Sequence, residues 1–288
     1  MERRVTIIGF GEAGQAFVPG PVPDVAIGAF DRKICDPAIR AAADAAGVTL
    51  AVTAADALAS AEGVLSLVTA DQALAAAADS APHLTLGALW LDMNSVAPDT
   101  KRAAAATIEA AGGRYVDVAV MAPVHPARLD VPLLVSGAHA EEAIGLLEAL
   151  GFTRARRVEG DVGAASAIKM IRSVIVKGIE ALTAEAMLAA EVAGVRNEVL
   201  ASLDASEKAR PWSERADYNL DRMLIHGLRR AAEMDEVVKT LDSLGTGSAM
   251  SRGTAKRQRA LGALRLAPPD GLDAKLAILA APKQEKAA

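Results

Sequence analysis

Between residues 5 and 120 the chain alternates apolar runs of four to six residues with longer stretches that end at glycine or proline. The runs are 5–9, 25–30, 49–52, 63–68, 88–92 and 115–120, and within them apolar residues follow one another instead of alternating with polar ones. A strand of that kind is buried on both faces, which is the pattern of a parallel sheet with helices as crossovers. Helices are predicted over 37–46, 54–61, 70–78 and 98–111, with Gly47 and Gly112-Gly113 as stops. A shorter helix opens after residue 9 and ends by Pro19-Gly20-Pro21, because proline cannot continue it. A strand at 133–136, a helix at 141–150 and a strand at 154–158 complete a doubly wound α/β domain over residues 1–160.

From about Val162 the strand signal stops. Helices at 164–193, 197–205, 218–244 and 248–261 make residues 161–288 an all-helical domain, with a frayed tail from Lys283 to Ala288. Composition agrees: 52% of residues are hydrophobic but only 3% aromatic, which favours packed helices and parallel strands over an aromatic-rich sandwich. A length of 288 residues accommodates two such domains.

Several function classes are excluded at this level. A net charge of −5 argues against nucleic acid as a partner, since phosphate binding draws on clustered cations. The pairs Arg156-Arg157 and Arg229-Arg230 read as solvated element ends. No apolar stretch approaches the roughly 18 residues of a membrane span, and the N-terminus enters a strand without a signal-peptide core. The expectation is a cytoplasmic protein. Cys35 has no partner for an internal disulfide, and the four histidines are scattered, so no protein-bound metal is expected.

The first run leads into Gly9-Phe10-Gly11-Glu12-Ala13-Gly14. Gly9 permits a tight turn, Gly11 lets the backbone approach a pyrophosphate, and Gly14 lets the next helix pack close on the sheet. Phe10, Glu12 and Ala13 share that loop, whose N–H groups at a helix start suit phosphate. Asp31, about 20 residues beyond Gly11 at the end of the second run, is placed to bond ribose hydroxyls. An acid there repels a 2′-phosphate and leans the cofactor to NAD; Arg32 and Lys33 would pair with that phosphate, which keeps NADP open. Strand, spacing and acid together describe a Rossmann-type dinucleotide fold. Loops after the fourth and fifth runs face the same crevice, making Thr69, Asn94 and Ser95 candidates for the ribose-nicotinamide half. Each is equally suited to capping the helix that follows.

A second glycine pattern, Gly160-Asp161-Val162-Gly163-Ala164-Ala165, leads into an apolar helix. Lys169 lies about two turns in, and Ser173 and Lys177 share its face at i+4 and i+8. Loss of hydration on such a face favours an uncharged amine, able to exchange a proton with a substrate hydroxyl. The other reading is a surface lysine whose stem lies along the helix.

With these motifs the chain resembles the β-hydroxyacid dehydrogenase family, relatives of 3-hydroxyisobutyrate and 6-phosphogluconate dehydrogenases. The similarity runs over nearly the whole length and most closely over 5–180. The family's glycine turn, lysine and following amide correspond to Gly160, Gly163, Lys169 and Ser173, and its D-x-[SN]-[ST]-x-x-P pattern is met by Asp92, Asn94, Ser95 and Pro98. The resemblance implies an NAD(P)-dependent oxidoreductase that moves hydride to or from the carbinol carbon of a small, 3-hydroxy acid-like substrate. Lys169 would be the general acid/base, and the helical domain would form a homodimer. The long helix from residue 162 to 193 would floor an interdomain cleft.

The chain also departs from the family. The substrate loop D-x-P-V-S-G-G is here Asp117-Val118-Ala119-Val120-Met121-Ala122-Pro123, so the serine is Met121 and Pro123 has no N–H to donate. The late K-D-L motif has no lysine in register between Leu228 and Met234. A pocket built on Val120, Met121 and Ala122 follows, with Arg172, His226, Arg229 or His125 available to an anion, as in a subgroup with a divergent C-terminal domain. Two rival readings are an imine reductase, which shares this layout but reduces C=N, and a non-catalytic dinucleotide-binding module.

Overall fold

The computed structural model describes residues 3–18, 24–206 and 209–280. The Pro19-Gly20-Pro21 stop and the tail from Lys283 lie outside the described residues. The chain divides into two compact units, Met1–Val174 and Ile175–Ala288.

The first unit carries one eight-stranded sheet in the order β3-β2-β1-β4-β5-β6-β7-β8. Its strands are β1 (Arg3–Ile8), β2 (Val25–Phe30), β3 (Thr49–Leu50), β4 (Gly63–Ser66), β5 (Leu89–Asp92), β6 (Arg114–Val120), β7 (Leu133–Ser136) and β8 (Ala155–Arg157). Between them run α1 (Glu12–Ala16), α2 (Pro37–Ala46), α3 (Ala54–Leu58), α4 (Ala73–Ser80), α5 (Pro98–Ala110) and α6 (Ala140–Ala149). Neighbouring residues of one strand feed opposite cores. Ile7, Leu65, Leu91 and Val116 enter one cluster, while Ile8, Val64, Trp90 and Tyr115 enter the other. A side-chain period of two with both faces buried explains why the strands read as unbroken apolar runs. Strand order reverses between β1 and β4, the point where open sheets of this kind hold their ligands.

Pairing is parallel throughout except that β7 runs antiparallel to β6. The connection from Val120 to Leu133 contains no α-helix, only a 3-10 turn at Arg128–Asp130, and without a crossover helix the chain returns alongside the strand it left. Local signals set the helix ends: Asp36 caps α2 through the Ala38 N–H ahead of Pro37, and Gly47 closes it in the left-handed conformation.

Helix α7 (Ala164–Val192) starts in the first unit and continues into the second. The second unit adds α8 (Arg196–Ser206), α9 (Trp212–Leu244), α10 (Ala249–Gly262) and α11 (Leu272–Ala280). Two helices differ from the sequence reading. Helix α9 begins at Trp212, before the expected residue 218, and within its first turn the Arg215 guanidinium lies 5.0 Å from the Trp212 ring centre. Helix α11 was not expected; it is tied to α9 through buried Lys275, which lies 2.6 Å from Asp217 and 3.1 Å from Asp221. Those carboxylates hold the Lys275 ammonium above its usual range, the Asp217 hydrogen bond contributing most. Glu185 of α7 caps α10, accepting from the Met250 and Ser251 N–H groups, each at 2.9 Å.

Helices α9 and α10 cross at two glycines. A Cβ on Gly227 would stand 2.4 Å from the Gln258 carbonyl oxygen, and one on Gly262 2.4 Å from the Leu228 nitrogen. Backbone cannot swing aside, so Gly227→Ala is expected to destabilise the unit by about 1–3 kcal/mol, outweighing the roughly 1 kcal/mol that alanine gains in helix propensity. Gly253, in the same α10, has nothing within 4 Å of its Cβ position. Gly253→Ala should therefore raise the midpoint of a thermal melt where Gly227→Ala lowers it. Equal shifts would remove the close crossing as the cause. No helix of the described residues is long and apolar enough to cross a membrane.

Candidate active site

The turn from β1 into α1 uses its three glycines in three ways. Gly9 sits at φ +93, where a Cβ would meet the Leu67 carbonyl oxygen at 2.6 Å, and a Cβ on Gly14 would lie 2.4 Å from the Gly9 oxygen. These two let the loop nest against β4 and against itself. Gly11 differs: a Cβ there meets no protein atom within 4 Å, so it faces out of the fold. The Phe10 ring is fully buried, and its N–H donates to Asp31 Oδ2 at 2.7 Å while Asp31 Oδ1 accepts from the Lys33 N–H at 2.8 Å. Asp31 thus ties the glycine loop to the end of β2, a role the sequence reading did not foresee.

Two cavities open at the strand ends. One of about 560 Å³ is lined by Gly9, Gly11, Asp31, Arg32, Thr69 and Gln72, among others. The Arg32 guanidinium donates to Gln72 Oε1 at 3.1 Å. Gln72 in turn donates to Asp71 at 2.9 Å; this bond and one from Thr69 hold the Asp71 carboxyl below its usual range. Thr69 therefore falls with Asp31 and not, as the spacing suggested, with Asn94 and Ser95. The second cavity, of about 450 Å³, is lined by Glu12, Ala13, Asn94, Ser95, Val120, Ala122 and Lys169.

At its floor Lys169 Nζ donates to Ser95 Oγ at 2.5 Å. Asn94 is oriented by charge: its Nδ2 donates to Asp92 Oδ1 at 2.7 Å and to Ser66 Oγ at 3.0 Å. A carboxylate accepts only, so the amide must present nitrogen to it. Asn94 Oδ1 is left buried without a hydrogen-bond partner among the described residues, a condition that an incoming donor relieves.

Below this floor lies a polar network fully inside the fold. Asp92, the last residue of β5, stands directly opposite Asp117 in the middle of β6. Lys101 of α5 donates to the Asp92 carbonyl at 2.5 Å and to Asp92 Oδ1 at 3.0 Å, and lies 3.4 Å from Asp117 Oδ1. Tyr115 donates its hydroxyl to Asp92 Oδ2 at 2.6 Å. Burial, reinforced by the Asp92 charge, pushes that phenol far above its usual range, so it stays a donor. Asp117 Oδ2 accepts from the N–H groups of Gly163 at 3.1 Å and Ser166 at 3.0 Å, and from Ser166 Oγ at 2.9 Å. It caps the start of α7 from the neighbouring sheet. The sequence reading missed Lys101, which looks like a solvent-facing residue of an amphipathic helix. The available signal was one acid in each of two consecutive apolar runs, a pair that a buried parallel sheet leaves in need of a cation.

The remaining predicted residues are dispersed. Ser173 Oγ donates to the Lys169 carbonyl at 2.9 Å, within its own helix. Arg172 is exposed and donates to the Met121 carbonyl at 3.3 Å, while the Met121 side chain packs on Ala119, Leu134, Val158 and Ala165. His125 is exposed in the loop before β7, and His226 and Arg229 belong to α9 of the second unit. Among the described residues no group of histidine, cysteine and carboxylate side chains is arranged to hold a metal.

The strand-turn-helix geometry, the open Cβ direction of Gly11 and the orphaned Asn94 oxygen fit a dinucleotide lying across the two cavities. Comparison with known proteins agrees with this fit. The NAD binding domain of 6-phosphogluconate dehydrogenase matches residues 4–151, and a domain of unknown function, DUF1932, matches residues 190–261. Among curated proteins none matches. Among solved structures, a conserved hypothetical protein from Sinorhizobium meliloti 1021 is 40% identical over 97% of this chain and 96% of its own, with a TM-score of 0.60. The conserved protein MTH1747, of unknown function and with structural similarity to 3-hydroxyacid dehydrogenases, is 31% identical over 91% of this chain and 98% of its own, with a TM-score of 0.58. An imine reductase from Myxococcus stipitatus in complex with NADP+ is 19% identical over 96% of this chain and 99% of its own, with a TM-score of 0.72; at that identity the likeness is one of fold.

Proposed function

The chain belongs to the β-hydroxyacid dehydrogenase family, and from that premise we propose that it is an NAD(P)-dependent oxidoreductase acting on the CH–OH group of a small hydroxylated, 3-hydroxy acid-like substrate. The observation that carries this reading is the contact of Lys169 with Ser95 in a cavity shared with the orphaned Asn94 oxygen. A bound nicotinamide dinucleotide supplies the hydride acceptor or donor. Lys169 Nζ takes the hydroxyl proton during oxidation and returns it during reduction, and Ser95 Oγ keeps the amine aimed. Asn94 Oδ1 accepts a hydrogen bond from whichever donor enters beside it. Val120, Ala122 and Pro123 give an apolar wall, and Pro123 has no N–H to offer a carboxylate. Any substrate anion is left to Arg172, exposed at the α7 surface and resting on the Met121 carbonyl.

The homodimer remains part of this proposal. Its support is the run of exposed apolar side chains on the helical unit, including Ile175, Ile179 and Leu182 of α7 and Leu200 and Leu203 of α8. Imine reduction is the second reading, favoured by the shared fold and by the missing loop serine. The lysine at 169 favours the hydroxyl reading. A purely binding role is the third.

Calorimetric titration with NADH and with NADPH, followed by turnover assays with 3-hydroxy acids and with cyclic imines, tests the set. Turnover of imines alone would replace the hydroxyl reading with the second one, and failure to bind either dinucleotide would end the whole proposal. The Asp31 carboxylate at the first cavity supports a lean to NAD. Asp31→Asn keeps an acceptor for the Phe10 N–H but removes the charge. It is expected to shift the NADH to NADPH affinity ratio toward NADPH by about tenfold, or 1.4 kcal/mol. An equal loss for both nucleotides would mean that Asp31 only holds the loop.

A further inference from the structure

Lys101 has no exposed side-chain surface, and both of its carboxylate partners are buried to within one per cent. Lysine is among the residues least often fully buried, and a buried ion pair is a weak contributor to stability compared with apolar side chains of similar volume. A buried lysine at this position therefore calls for a role other than holding the core together. Its two partners supply one. Asp92 accepts from the Asn94 N–H at 2.9 Å and from its Nδ2, and so sets the loop that presents Ser95. Asp117 anchors the first turn of α7, and Lys169 rides on the following turn. The two halves of the Lys169–Ser95 contact therefore hang on two carboxylates paired across adjacent strands. Without a cation between them those carboxylates repel in a dry interior, where charges interact far more strongly than in water.

We propose that Lys101 is the positioning residue of the site: by bridging Asp92 and Asp117 it holds the Ser95 loop and the α7 turn in the one arrangement that brings Lys169 Nζ onto Ser95 Oγ. It touches no substrate and acts through those two carboxylates. The proposal rests on Lys169 as the acid/base, and its test separates the two ideas.

Exposed lysines of the full chain are dimethylated with ¹³C-formaldehyde, which spares buried Lys101, and the Lys169 resonance is identified by its absence in Lys169→Arg. Ser95→Ala then gives the resonance of Lys169 without the Ser95 contact. Lys101→Met is expected to move the Lys169 resonance to the Ser95→Ala position. It should also lower kcat by about 10²-fold, the scale of a 1 Å misplacement, with KM and dinucleotide affinity retained. Lys101→Arg, which keeps the cation, should recover part of kcat. A folded Lys101→Met protein whose Lys169 resonance matches the wild type overturns the proposal. If Lys101→Met does not fold, Ser166→Ala, which removes one donor from Asp117, is read on the same scale, toward Ser95→Ala or unmoved. Should Lys169→Ala leave turnover intact, the acid/base reading fails by itself, and the resonance still decides whether Lys101 positions Lys169.

Discussion

Lys169→Ala is expected to lower kcat by about 10²–10⁴-fold, the usual contribution of a general acid or base, while the dissociation constants of NADH and NADPH stay unchanged. Of the two cavities a dinucleotide would cross, the first is built from the β1 turn and the loops after β2 and β4 and has no residue of α7 in its lining. Lys169→Arg sharpens the test. Arginine keeps a cation and a donor for Ser95 but does not give up its proton in proteins, so it should be nearly as impaired as alanine. Steady-state turnover with the best substrate from the hydroxy acid and imine screen, beside fluorescence titration of the dinucleotide, reads both effects. Full activity in Lys169→Arg would mean that charge alone is required. Full activity in Lys169→Ala would remove the residue from the chemistry.

Substituting the glycine loop should separate folding from binding within four residues. Gly11→Ala places its Cβ where no protein atom lies within 4 Å, so the melting temperature should hold while dinucleotide affinity falls by tenfold or more, about 1.4 kcal/mol per tenfold. Gly14→Ala drives its Cβ to 2.4 Å from the Gly9 oxygen. That contact forces α1 off the turn, and the expected outcome is a loss of stability of about 1–3 kcal/mol together with lost binding. A Gly11→Ala protein that binds NADH and NADPH as tightly as the wild type would place the pyrophosphate elsewhere.

Much of this molecule was legible in one dimension. Both-faces burial of strands writes itself as unbroken apolar runs, so the strands and their crossover helices stand nearly where the pattern put them. Gly9 and Gly14 do what their spacing after β1 suggests, because a tight turn and a close helix approach leave no room for a side chain. Lys169 and Ser95, distant in sequence, were each nameable from local pattern, and the fold brings them together. Less legible were the features held only by contacts across the fold. Helix α11 depends on Lys275 meeting Asp217 and Asp221, and the direction of β7 depends on a connection that never forms a crossover helix. The pairing of Arg172 with the Met121 carbonyl, and of Thr69 with the first cavity, likewise has no local signature.

The division follows from the range of the forces involved. Turn geometry, helix stops and burial on both strand faces act between residues near in sequence, and the sequence by itself determined them: the α/β order of the first unit, the glycine turn, the helical character of the rest. Electrostatic satisfaction in a dry interior acts between residues that only packing makes neighbours. Asp92 and Asp117 are brought opposite each other by strand register, and only there do two carboxylates need Lys101. The tertiary structure alone decided that this lysine is buried, that Asp117 caps α7, and that Lys169 meets Ser95.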